Sequence, residues 1–158
     1  MFELSLGVAV ASAVMAGVFF AFSSFIMTAL GNIEPAAGIR AMQRINIDVF
    51  CWSFSFLFFG LPLLSLGFGI YAVFNLAQPE AIYYIVGSLV YLVGSLLVTA
   101  KGNVPLNDAL ARVDPYAENA VEQWRKYLVT WTRWNHLRAV ACLVAGVVFV
   151  GAGYVQWR

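Results

Sequence analysis

Charge is scarce in this chain. Only 11% of its 158 residues are charged, 62% are hydrophobic, and the mean hydropathy is +0.82. A soluble domain carries about 25% charged and about 45–50% apolar residues, so the composition excludes an ordinary water-soluble globule and points to a polytopic membrane protein. The net charge of +1 gives no footing for nucleic acid. The two cysteines, Cys51 and Cys142, both fall in apolar runs and read as small packing residues, with no spacing that suggests a disulfide or a metal pair. A single histidine excludes bis-histidine haem ligation within one chain. There is no Glu-x-x-His or His-x-x-x-His pair, no Cys-x-x-Cys-His motif and no glycine-rich phosphate loop. No metal-binding residues are assigned and no cofactor is evident, which leaves open a metal borrowed from a partner. The N-terminus lacks a basic n-region and its first apolar stretch is too long for a signal-peptide core, so that stretch is expected to be retained.

What the chain does have is four long apolar runs, Leu4–Leu30, Val49–Leu76, Ala81–Ala100 and Leu137–Val155. Each is about long enough to cross a hydrocarbon core of roughly 30 Å, which takes ~20 helical residues. The expected fold is therefore all-α: a single membrane domain over residues 1–158, built as a four-transmembrane-helix bundle. The lipid bilayer is its first partner. Ala9, Ala13, Gly17 and Ala21 recur every four residues in the first run, and Gly87 and Gly94 lie one heptad apart in the third. Such small-residue faces predict close helix–helix packing within the bundle, with a partner, or in a homo-oligomer. Pro62 is expected to kink the second run, and the Gln78-Pro79 turn makes runs 2 and 3 antiparallel neighbours.

The connections are also structured. In loop 1, Ile39, Met42, Ile45 and Val49 keep helical spacing after Glu34-Pro35, which predicts a short amphipathic helix. In loop 3, Asp114-Pro115 reads as a helix start. Ala120, Trp124, Tyr127, Trp131, Trp134 and Arg138 then follow at alternating four- and three-residue spacing, which predicts a longer amphipathic helix lying against the interface or the bundle mouth, with Trp124 and Tyr127 as interfacial anchors in the first case. Of nine basic residues, all but Arg158 lie in or beside loops 1 and 3. The positive-inside rule then places those loops in the cytoplasm and both termini outside.

Three polar clusters meet at the loop ends of the spans: Gln43–Asp48, Lys101–Asp108 and Trp131–Arg138. Amides and charges near a bilayer are costly unless paired or functional, so a polar pocket mouth is expected there. His136 is the natural general base by its unperturbed pKa, although it could equally cap a helix at the interface. Asn103 and Asn107, four apart, can share a helical face and hold an oxyanion, or serve as turn residues around Pro105. Arg138 either snorkels to the interface or faces the pocket as an anion partner. Asp48 and Asp108 are candidates to pair with Arg44, Lys101 or Arg138.

The block Asn103-Val-Pro-Leu-Asn107-Asp-Ala-Leu, followed by Trp131-Thr-Arg-Trp-Asn135-His136-Leu-Arg138, resembles the anthrone oxygenase-like family of small four-helix membrane proteins. So do Phe22–Leu30 and Ala41-Met-Gln-Arg-Ile-Asn46, and the resemblance covers nearly the whole chain. Many members are bacterial, which implies an inner-membrane location. The resemblance further implies O₂-dependent oxidation of an anthrone or another lipophilic aromatic small molecule, without a resident cofactor. On that reading His136, Asn107, Asn103 and Arg138 would be catalytic, while Trp131, Trp134, Asn46 and Asn135 would hold substrate. Two other readings fit the same residues: a non-catalytic subunit or assembly factor of a larger membrane complex, and a binder of lipid, quinone or pigment.

Overall fold

The computed structural model describes residues 1–157 and is all-helical, with four helices long and apolar enough to cross a membrane. We number the helices α1 (Phe2–Asn32), α2 (Pro35–Asp48), α3 (Trp52–Phe74), α4 (Ala81–Ala111) and α5 (Ala120–Trp157). At 1.5 Å per residue, the 31 residues of α1 and α4 span about 46 Å and the 38 of α5 about 57 Å. All three overshoot the bilayer core. The 23-residue α3, about 34 Å long, exceeds it only slightly, and α2 fills the space beside the overshooting ends.

α1 and α5 form the central pair, α4 packs on α5, and α3 packs on α4 and α1. The packed face of α1 is Ser5, Val8, Ala9, Ser12, Met15, Ala16 and Phe19. This corrects the four-residue small stripe: Ala13 and Gly17 face outward, and a methyl on Gly17 would meet nothing within 4 Å. A strict i+4 row winds across the helix surface, whereas a straight neighbour follows alternating three- and four-residue steps. The close approach is made from the other side, where Gly146 of α5 sits against the Ala9 carbonyl. In α4 the expected glycines do pack, Gly87 against Phe149 and Gly94 against Ala141.

The loop 1 helix forms as expected, with Pro35 in its first turn. It is tied down by Gln43, whose Nε2 donates to the Leu110 and Val113 carbonyls at 2.9 and 3.0 Å. Gly38 is needed for this docking, because a Cβ there would lie 2.7 Å from the Leu30 carbonyl oxygen and 3.1 Å from the Trp124 ring. Loop 3 differs from expectation. α4 runs on past Ala100, because π-helical turns at Leu92–Leu97 and Thr99–Asn103 carry it up to Pro105, which falls in the first turn of the segment Val104–Ala111. Asp114 does not start a helix. Its carboxylate accepts the Tyr116 N–H at 3.0 Å and closes a local turn, and one unbroken helix begins only at Ala120. Trp124 and Tyr127 are not interfacial anchors either. They are buried with Trp131 in a stack over Met27, Ile39, Met42 and Leu110.

Outward faces are apolar along the spans, as at Phe56 and Leu63, which suits a lipid surround. Pro62 lies inside α3 without ending it. The half of α3 before Pro62 contains no fully buried residue until Leu61, so it lies loosely against the bundle and leaves a space behind it.

Candidate functional site

That space is a cavity of about 280 Å³ at the loop end of the bundle, close to the lower end of the roughly 300–1,000 Å³ usual for small-molecule sites. Its outer wall is aromatic: Phe50 in the turn before α3, Phe54, Phe58 and Phe59 at the start of α3, and Phe19 and Phe22 of α1. Phe54 and Phe58 stack at 5.3 Å. Its inner wall carries Asn46 of α2, Thr99, Asn103 and Asn107 of α4, and Trp131 and Arg138 of α5. Arg138 is the one ionisable side chain among the lining residues.

Arg138 does not snorkel. It is 5% exposed. Its Nη2 donates to Asn135 Oδ1 at 2.5 Å and Nη1 to Thr99 Oγ1 at 3.3 Å, and Nε has no partner. The guanidinium lies 4.2 Å from the Phe19 ring centroid and 5.4 Å from that of Trp131. Neither ion pair found among the described residues involves it: Arg44–Asp48 and Lys126–Glu122 are both exposed. Asp48 holds Arg44, whose pKa is raised first by that hydrogen bond and then by the opposite charge. A buried cation without a carboxylate, at a membrane boundary, is expensive. Its shortfall is a place for an anion.

Asn135 supports this arginine. It is fully buried, and its Nδ2 donates to the Phe19 carbonyl and to Ser23 Oγ, both at 2.6 Å. The carbonyl can only accept, so the amide orientation is fixed and Oδ1 must turn towards Arg138. Asn107 is fixed by the same logic. Its Oδ1 accepts from Tyr127 Oη at 2.9 Å and from Trp131 Nε1 at 2.8 Å. Indole N–H only donates, so Asn107 presents its amino group as the free end. Asn103 is 1% exposed. Its Nδ2 donates to the Trp131 carbonyl at 3.2 Å while its Oδ1 has no partner. The Nδ2 of Asn46 is buried and unpartnered as well. Buried polar atoms normally find partners, so several open valences here surround one cavity. Two of the three π-helical turns among the described residues, Phe22–Ile26 and Thr99–Asn103, border it, and such turns recur at functional sites.

Of the eight side chains singled out from the sequence, Asn46, Asn103, Asn107, Trp131 and Arg138 line the cavity and Asn135 stands directly behind Arg138. The other two are elsewhere. His136 is exposed and borders a separate shallow depression with Arg133, Ser23 and Thr28. Trp134 is 39% exposed and covers Gly102 on the outside of the bundle. Thr99 and the phenylalanine wall of α3 were not anticipated. The wall was partly detectable, since Phe54 and Phe58 fall four residues apart on one helical face; nothing in the sequence marks Thr99. No group of three or more His, Cys, Asp or Glu side chains is gathered among the described residues.

A family model described as anthrone oxygenase matches residues 52–148. The chain belongs to the anthrone oxygenase family. The match runs from the start of α3 to well inside α5, so it takes in Thr99, Asn103, Asn107, Trp131, Asn135 and Arg138, while Phe19 and Asn46 lie outside it. No curated protein and no solved structure matches the chain.

Proposed function

We propose that this membrane protein oxidises a flat, lipophilic aromatic substrate of the anthrone type with O₂, by stabilising the substrate's carbanion against Arg138. The single observation that carries the reading is a buried arginine without a carboxylate partner, opening on an aromatic cavity. An anthrone has a methylene next to two rings and conjugated through them to a carbonyl. Loss of a methylene proton places negative charge on the carbonyl oxygen. Arg138 and the amino group of Asn107 are donors for that oxygen, and Phe19, Trp131 and the phenylalanine wall fit the rings.

The enolate gives one electron to O₂. The resulting radical and superoxide join as a carbon-bound peroxide anion, which takes one proton back from water at the mouth and, as the hydroperoxide, loses water to leave a carbonyl. Overall, R₂CH₂ + O₂ gives R₂C=O + H₂O, and the substrate itself supplies the electrons. No cavity residue takes up the proton, because Arg138 is the only ionisable one; the proton leaves to water at the mouth. His136 is therefore not assigned as base, and the chemistry rests on anion stabilisation. The location that suits this reading is an inner membrane with loops 1 and 3 cytoplasmic.

The test is O₂ consumption by the purified chain in detergent with anthrone as substrate. One O₂ should disappear for each anthraquinone formed, and Arg138→Gln should lower the activity about 10²–10³-fold. Tight anthrone binding without O₂ uptake would replace catalysis with ligand binding. A folded Arg138→Gln protein with wild-type turnover would overturn the site assignment.

A further inference from the structure

We infer that the outer face of α5 at its entry to the bundle, with the end of α1, binds the phosphate of an anionic glycerophospholipid. The depression there has a volume of about 380 Å³ and is distinct from the aromatic cavity. Its rim is made of hydrogen-bond donors: Arg133, His136 and Thr132 from α5, and Ser23, Thr28 and Asn32 from α1. Arg133 and His136 are three residues apart, so they are neighbours on one helical face. Neither has a hydrogen-bond or ion-pair partner among the described residues. An exposed arginine with hydroxyls around it suits the forked geometry of a phosphate.

The floor and the surface below favour a lipid over free phosphate. Met27, Gly31, Leu128 and Val129 line the depression. Towards the membrane, Phe20 stands three residues before Ser23 and Val140 four after His136, both strongly exposed. A polar rim therefore leads onto exposed apolar surface at Phe20 and Val140, as an acyl glycerol phosphate requires. Basic pockets between membrane helices are established headgroup sites.

The two faces of α5 are joined by one chain of hydrogen bonds. Ser23 Oγ accepts from Asn135, and Asn135 accepts from Arg138. The Ser23 hydroxyl hydrogen is left free to point at the lipid phosphate. A bound headgroup thus orders the residue that supports Arg138.

The test uses the whole chain in neutral detergent, titrated with phosphatidylglycerol or phosphatidylcholine and followed by native mass spectrometry. Phosphatidylglycerol should be retained preferentially, and Arg133→Gln should lower its retention about fivefold, the effect of one basic residue near an anionic surface. Combining it with His136→Ala, which removes a hydrogen-bonding side chain from the rim, should lower retention further, while Arg125→Gln, on the same helix but away from the depression, should not. Inorganic phosphate at millimolar concentration should not displace the lipid. No preference for phosphatidylglycerol in the wild-type chain would overturn the proposal without any variant. So would displacement by inorganic phosphate, or an equal loss with Arg125→Gln. Because anthrone turnover is not read here, failure of this site leaves the cavity assignment standing.

Discussion

Arg138 and His136 stand two residues apart on one helix and have opposite surroundings. Arg138 is sealed inside, bonded through Asn135 and Thr99 and flanked by two rings; His136 is exposed. By side-chain chemistry alone the histidine is the better catalyst at neutral pH. Position reverses that ranking. Two residues on an α-helix turn the side chain through most of half a revolution, enough to exchange a water-poor cavity for the bilayer boundary. The difference separates two kinds of polar side chain: one sealed inside without a carboxylate, and one left exposed on the outer face of the helix.

The largest effect that would sharpen this contrast is loss of the inner charge. Arg138→Gln removes the strongest donor from the developing oxyanion, and kcat for anthrone oxidation should fall about 10²–10³-fold. Because the lost charge was buried without a carboxylate, Arg138→Met should melt no earlier than wild type, as when buried ionic groups give way to apolar ones of similar volume. Lower activity together with an equal or higher Tm marks a functional arginine. A parallel loss of both would mark a structural one.

Asn135→Leu acts one step back. It leaves the Phe19 carbonyl without its Asn135 donor and removes the acceptor that orients Arg138. The expected result is a stability loss of about 1–3 kcal/mol, seen as a lower Tm, with a smaller fall in kcat than for Arg138→Gln. Asn135→Gln should restore neither, since the longer arm cannot reach both partners at 2.5–2.6 Å. Unchanged Tm in Asn135→Leu would remove its supporting role.

Much of this was legible in advance. Composition and run length define four membrane helices because burying or exposing apolar surface to lipid leaves few alternatives. Loop 1 was readable because Pro35 opens a clean helical period. Loop 3 was not, because Asp114 has two local bonding choices and the turn to Tyr116 won. The inward face of α5 is Trp131, Asn135, Arg138 and Cys142, at four- and three-residue steps. The outer stripe of Arg133, Trp134, His136 and Leu137 mixes aromatic and polar residues in the same way, so pattern alone gave no preference. Only the neighbours, Phe19 and Thr99 on other helices, decide which stripe is buried. The small-residue row on α1 failed for a related reason: small side chains permit close packing but do not say which partner arrives.

The pH dependence separates a protein base from substrate ionisation. With Arg138 the only ionisable lining group, no lining residue changes from base to acid near neutrality. Turnover should rise with pH as the anthrone ionises and then level off. The midpoint should move with ring substituents that change the anthrone's own acidity. A midpoint fixed across substrates would instead report a group of the protein and return a base to the mechanism.

The smallest expected effect is on the outer face, and it breaks or keeps the comparison outright. His136→Gln retains a hydrogen-bonding side chain at an exposed position but cannot take up a proton near neutrality. Exposed substitutions of this kind usually stay within about 0.5 kcal/mol, so anthrone turnover in detergent should change by no more than about twofold, with the same midpoint in pH. If His136 reached the substrate through a rearrangement of α5, kcat would collapse and the rising limb of the pH profile would disappear. That outcome would place the proton acceptor on the outer stripe. It would require α5 to rotate by nearly half a turn, and Asn135, bonded to both Phe19 and Ser23, is the residue that opposes such a rotation.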